Sequence, residues 1–175
     1  LSGDGNTLAV GADFEDSRST GIDSTPDELA SNAGAVYVYV HGTSGWTQQV
    51  YIKASNTGAG DNFGRSVALS HDGNTLAVGA RIEGSATTGI NSTPNESASG
   101  AGAVYVYTRS GSTWSQQAYV KASNTGAGDF FGFSIAVNND GNTLAVAAFS
   151  EASGTTGIHS TPDEAAPGAG AVYLY

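Results

Sequence analysis

The chain has 175 residues, with 25 Gly, no Cys and no Met. Only 13% of residues are charged, and 16 acids against 6 bases give a formal net charge of −10. Such a balance excludes nucleic-acid and anionic-membrane binding of the usual kind, because phosphate contacts need clustered Lys and Arg. The lack of Cys excludes a disulfide framework and thiolate metal sites.

No apolar run reaches the ~18 residues of a membrane span, and no basic-then-apolar leader is present. The absence of Met even at position 1 is what a processed product or a fragment is expected to show.

Leu1 reads as the end of a strand. The full set of elements is clearest in the middle of the chain. Phe63–Leu69 is the first strand, with Phe63, Val67 and Leu69 on one side and the small Gly64, Ser66 and Ala68 on the other. Small residues suit a crowded position near an axis. Ser70–Asn74 then forms an Asp-Gly hairpin.

Thr75–Ala80 is a second strand, apolar on both faces. A long loop rich in Gly, Ser, Thr, Pro and Asn runs from about Arg81 to Gly102. Ala103–Tyr107 is the third strand, again apolar on both faces, so the sheet must be covered on both sides. A Gly/Ser turn near Ser110–Thr113 leads to the fourth, Trp114–Lys121, the most polar and hence the outer edge. No stretch has a 3.6-residue period, so the fold reads as all-β and antiparallel. The chain stops after a third strand, at Tyr175.

These elements recur. DGNTLAV begins at Asp4, Asp72 and Asp140; GAVY begins at Gly34, Gly102 and Gly170; STP begins at Ser24, Ser92 and Ser160; KASNTGAGD begins at Lys53 and Lys121. Each spacing is 68 residues, with no insertion (72 − 4 = 68; 140 − 72 = 68). A unit of four strands and 68 residues fits one blade of a β-propeller. The chain then divides into a partial blade over residues 1–60, a full blade over 61–128 and a partial blade over 129–175, about 2.5 blades. Between blades, Val36, Val38, Val104, Val106, Val172, Leu8, Leu76, Leu144, Val10, Val78 and Val146 are expected to be almost fully buried.

The segment Ala59–Ala80 (AGDNFGRSVALSHDGNTLAVGA) resembles the FG-GAP repeat, and more closely its bacterial variant. The Phe-Gly pairs are Phe63-Gly64 and Phe131-Gly132. The Gly-Ala pairs are Gly11-Ala12 and Gly79-Ala80, replaced by Ala147-Ala148 in the third copy. The family's usual Pro after Gly-Ala is absent: Asp13, Arg81 and Phe149 stand there.

The resemblance implies a propeller like the integrin α-subunit head, on secreted or surface proteins that bind proteins or glycans. It also implies a calcium loop in many members. Here that loop is reduced to single carboxylates, Asp4, Asp72 and Asp140, too few for the six to eight oxygens calcium takes.

Calcium, the one cofactor to consider, would instead sit in the long loop. Glu15, Glu83 and Glu151 recur there, as do Glu28, Glu96 and Glu164. The alternative is a proline turn at Pro26, Pro94 and Pro162 followed by solvated acids.

Asp61 and Asp129 read as turn caps before the Phe-Gly pairs. Trp46 and Trp114 read as blade-edge packing, with sugar stacking as the alternative. His41, His71 and His159 fall at three different repeat positions and form no metal or catalytic set. Asn91-Ser92-Thr93 and Asn95-Glu96-Ser97 read as chance glycosylation matches. Carboxylates that recur in every copy argue for architecture over a glycosidase pair.

The sequence thus predicts a non-enzymatic extracellular or cell-surface module, bacterial in type, for protein or glycan binding. The alternative is a self-assembling subunit of a filament or sheath, whose partners are further copies of itself.

Overall fold

The computed structural model describes residues 1–175 and contains ten strands and no helix. The strands are β1 (Thr7–Ala12), β2 (Ala35–Gly42), β3 (Gly45–Ile52), β4 (Phe63–Leu69), β5 (Thr75–Ala80), β6 (Ala103–Ser110), β7 (Thr113–Val120), β8 (Phe131–Val137), β9 (Leu144–Ala148) and β10 (Ala171–Leu174). They form three antiparallel meanders, β1-β2-β3, β4-β5-β6-β7 and β8-β9-β10. The molecule is therefore all-β, with strands grouped three, four, three as the repeat predicts, and the sheets are successive propeller blades.

Local chemistry sets the hairpins. At the β4–β5 turn, Ser70 Oγ donates to Asp72 Oδ1 at 2.6 Å, and the same oxygen accepts the Asn74 amide at 3.0 Å. Gly73 takes the positive φ that such a turn demands. The Ser2–Asn6 turn repeats this arrangement.

The Phe-Gly pair opens the first strand of a blade on a bulge: register jumps between Phe63 and Ser66, and again between Phe131 and Ser134. Phe131 is fully buried, edge-on to Tyr173 and Tyr175, as Phe63 is to Tyr105 and Tyr107. Gly132 follows at φ 84°, and a Cβ there would stand 2.6 Å from the Ala103 carbonyl oxygen.

The Gly of Gly-Ala is its counterpart across the blades: Gly11 lies against the Gly64 carbonyl and Gly79 against the Gly132 carbonyl, each closer than any side chain permits. The small face of β4 has the same use. Ser66 Oγ donates to the Gly132 carbonyl at 2.7 Å, so this face receives β8 of the next blade.

Two cores result. In one, Leu76, Val78, Phe63, Tyr105 and Tyr107 of the second blade pack on Ala9, Val36, Val38 and Ile52 of the first. In the other, Ala77, Val104 and Val120 pack on Phe131, Leu144, Val146 and Ala148 of the third.

The expected burial holds for Val36, Val38, Val104, Leu76, Val78, Val146 and Leu144. It fails for Val172, 69% exposed, and Val10, 42% exposed; Leu8 and Val106 are only half-buried. Val10 and Leu8 lie on the face of the first sheet matching Leu76 and Val78, and no sheet covers it. Val172 lies on the face of the third sheet matching Val104, and that face too is uncovered.

Candidate functional site

Each long loop is closed by its own side chains. In the second blade, Asn95 Oδ1 accepts the Ala86 and Ser97 amides at 3.0 and 3.2 Å, while Ser85 Oγ accepts the Asn95 amide at 3.0 Å. Asp27 and Asp163 repeat the pattern in the other copies. The amides they accept hold the Asp27 and Asp163 carboxyls below the usual carboxylate range, outweighing a smaller upward push from desolvation.

The loop then tucks Glu83 inward, where it is fully buried. Its Oε2 accepts Lys121 Nζ at 2.9 Å and the Ser85 amide at 3.1 Å; its Oε1 accepts Tyr119 OH at 2.9 Å and Asn56 Nδ2 at 3.0 Å. Four donors fill a carboxylate's roughly four lone-pair sites. Lys121, itself fully buried, also donates to the Gly102 carbonyl at 2.6 Å. Burial pushes its ammonium down from the ordinary lysine range, and Glu83 opposes that shift.

Glu15 is held the same way, by Lys53 at 2.6 Å, Tyr51 OH at 2.7 Å and the Ser17 amide at 3.1 Å. Glu151 accepts Asn124 Nδ2 at 2.7 Å and the Ser153 amide at 3.0 Å.

This network also joins blades. Asn56 leaves β3 of the first blade, donates to Glu83 and accepts from Tyr105 OH, both of the second. Asn124 does so toward Glu151 and Tyr173 of the third.

Calcium does not fit these residues. The invariant Glu15 and Glu83 carboxylates already face a lysine ammonium, and no group of three or more His, Asp or Glu side chains converges anywhere in the chain. Glu28, Glu96 and Glu164 sit at positive φ on the loop bends; Glu164 shares the Asn124 amide with Glu151 and Glu96 lies near Glu83, but no three such side chains converge. Glu96 is raised above the usual carboxylate range by burial and by Glu83 nearby. In the first two copies the loop glutamate, for which the sequence left a calcium site and a plain proline turn as alternatives, is clamped by lysine.

Asp61 and Asp129 cap turns, accepting the Gly58 and Gly126 amides at 2.8 and 2.7 Å. Burial pushes the Asp61 carboxyl up to about 7, against the pull of the Gly58 amide. In the exposed Asp4 hairpin the opposite holds: hydrogen bonds from Ser2 and Asn6 bring its carboxyl down to about 2.

Trp114 is packed between blades, donating to Gln49 Oε1 at 2.9 Å with Arg109 over its ring; Trp46 is 44% exposed, edge-on to His41. Asn91 uses its Oδ1 to accept the Tyr119 amide, and Asn95 is part of the loop closure, so both asparagines have structural work.

Sequence reading missed Lys53, Lys121, Tyr51, Tyr119 and Asn56. The available signal was a lysine recurring just after the apolar last residues of the fourth strand, Val50–Ile52 and Ala118–Val120, at the same 68-residue spacing as a glutamate. A cation repeated in a region that must be buried requires a repeated anion.

No helix is long and apolar enough to cross a membrane. No curated protein matches the chain. A family model described as the FG-GAP repeat matches residues 46–107 and 114–175, more than two thirds of the chain. Each match runs from the Trp-bearing strand of one sheet to the third strand of the next, so it spans the Phe-Gly bulge, the Asp-Gly hairpin and the clamped loop together. The chain belongs to the FG-GAP repeat family.

Proposed function

We propose that the chain is a non-enzymatic binding module of an extracellular or bacterial surface protein, presenting its blades to a protein or glycan partner. FG-GAP repeats are typical of extracellular proteins, which supports the location. The observation that carries the reading is the saturation of Glu83: a carboxylate with four donors, one of them a buried ammonium, has no lone pair left for proton transfer or a substrate. A pair of carboxylates for glycoside hydrolysis needs one raised acid and one free base or nucleophile, and Glu15 and Glu83, each held by a lysine, a tyrosine and a backbone amide, are free for neither role.

The test is a glycan array and a peptide-display selection on the immobilised chain, run beside an assay with p-nitrophenyl glycosides. Binding without turnover is the expected result. Turnover lost on Glu83→Gln or Glu151→Gln would make the chain an enzyme.

A second reading, self-association, is favoured by one specific observation. Val172 and Leu174 are exposed at positions whose middle-blade equivalents, Val104 and Val106, are covered by the third blade. The exposed Val10 and half-buried Leu8 match Leu76 and Val78, which the first blade covers. Two faces that repeat the two sides of an internal interface can meet between copies, head to tail. Light scattering across a concentration series decides it: growth in mass that Val172→Asp abolishes supports stacking, and a constant monomer mass rejects it.

A further inference from the structure

Comparison of the three copies position by position divides the chain into two classes. Turn, clamp and core residues repeat almost unchanged. Other positions change chemical class, some scattered over the loops, as Arg18, Ala86 and Gly154 or Leu29, Ser97 and Ala165, and some gathered at one place. Asp13, Arg81 and Phe149 share one position; Phe14, Ile82 and Ser150 share the next; Asn62 is matched by Phe130, and Arg65 by Phe133.

These positions lie about fifty residues apart in sequence, at the end of the second strand and the start of the first, yet the fold gathers them. Arg65 Nη1 is 3.5 Å from Asp13 Oδ2, Asn62 Nδ2 donates to the Asp13 carbonyl at 3.2 Å, and Arg81 Nη2 reaches Asn62 Oδ1 at 3.5 Å. Phe133 stacks on Phe149 with centroids 4.9 Å apart. Together they line the inner rim where β4 and β8 begin.

Two independent features mark this rim as unfinished. Two buried side-chain polar atoms here have no hydrogen-bond partner, Asp13 Oδ2, which still faces the Arg65 guanidinium, and Arg81 Nε, which faces no carboxylate. Natural folds seldom leave such an atom without a reason. The large exposed apolar side chains include Phe14, Phe133 and Phe149, from the same positions.

The charges point the same way. Lys53 and Lys121 are buried in ion pairs, Arg109 binds Asn74, Gln49 and Thr7, and Arg18 faces Asp27. Arg65 faces Asp13 at 3.5 Å, whereas Arg81, in contact only with the neutral Asn62, has no carboxylate partner, and it stands at this rim.

We propose that this rim, centred on Arg65, Arg81, Phe133 and Phe149, is the recognition surface of the module. Its partner is a protein segment that carries carboxylates next to aromatic or apolar side chains. Guanidinium groups take carboxylates through paired donors, and exposed rings anchor apolar side chains. The rest of the surface repels an acidic partner, which confines docking to the rim. In a repeat scaffold, constant positions hold the fold while the changing ones can differ in what they contact. The proposal rests on the binding-module reading and assigns it a place and a ligand chemistry.

The test is selection of phage-displayed random peptides on the intact chain, followed by fluorescence anisotropy of an enriched, labelled peptide. Three variants are compared: Arg65→Ala/Arg81→Ala, Phe133→Ala/Phe149→Ala, and Arg81→Lys, which keeps the charge and loses the paired donors. Thermal melts confirm that each is folded. Enriched peptides should combine Asp or Glu with Phe, Tyr, Trp or Leu, and both double variants should weaken binding by about tenfold or more. Arg81→Lys should fall between them and wild type.

Peptides that bind wild type and both double variants equally would remove the rim assignment and leave the binding-module reading standing. Basic or carboxylate-free peptides would overturn the partner chemistry. Failure of both peptides and glycans to bind would remove the binding reading itself.

Discussion

At the scale of single residues, the fold depends on charges taken fully out of water. Glu83 and Lys121 have no exposed side-chain surface, whereas Glu15 keeps 11% beside a buried Lys53. Removing one partner of a buried pair leaves the other uncompensated, at about 3–5 kcal/mol. Lys121→Met should therefore destabilise by that amount, and Lys121→Met/Glu83→Gln should recover most of it; urea melts read both. Lys53→Met should cost less, because water reaches Glu15.

Asp61 is the second sensitive residue. Its carboxyl, pushed up to about 7 by burial, holds a proton in the folded state that the unfolded chain releases near its ordinary value of 3.8. The native state binds more protons in that window, so stability falls as pH rises from about 4 to about 7, by at most ~1.4 kcal/mol per pH unit. Asp61→Asn keeps an acceptor for Gly58 and should flatten this loss between about pH 4 and pH 7. An unchanged pH profile in the variant would show that the Asp61 charge is solvated.

At the scale of elements, the strands and hairpins were legible because their signals are local. Alternation over Phe63–Leu69 and the Asp72-Gly73 turn act within a few residues, and both stand where the sequence places them. The Phe-Gly bulge was legible as a motif but not as a device, since its reason lies in the Ala103 carbonyl, 29 residues upstream of Gly132 in another blade (132 − 103 = 29).

Gly132→Ala should cost about 2 kcal/mol or more, through both the positive φ and the carbonyl contact. Gly42→Ala is the control, because a Cβ there meets nothing within 4 Å. Equal denaturation midpoints for the two variants would refute this account of the motif. The loop clamp was signalled only by the shared 68-residue recurrence of its glutamate and lysine, and the contacts that make the clamp and the rim were not legible. Glu83 and Lys121 are 38 residues apart, and no periodicity within a blade announces that a loop carboxylate meets the end of the fourth strand.

At the scale of the whole molecule, the strand order was read correctly from short connections, while the burial of Val10 and Val172 was not. The repeat predicts two covered faces for every blade, and the first and third sheets each have one face uncovered. The acidic charge also acquires a meaning at this scale. Two of the chain's six cations are internal, neutralising loop acids, so the excess of negative charge lies on the outside.

The central claim is that the repeated loop glutamates belong to a lysine-clamped scaffold and leave recognition to other residues. The most direct measurement is the melting temperature in chelator and in calcium at ~10 mM, above the weakest range of extracellular sites. The account predicts no calcium-specific change. A rise of about 3–6 °C, the size expected for about tenfold saturation in a domain of this length, that disappears in Glu83→Gln would contradict it.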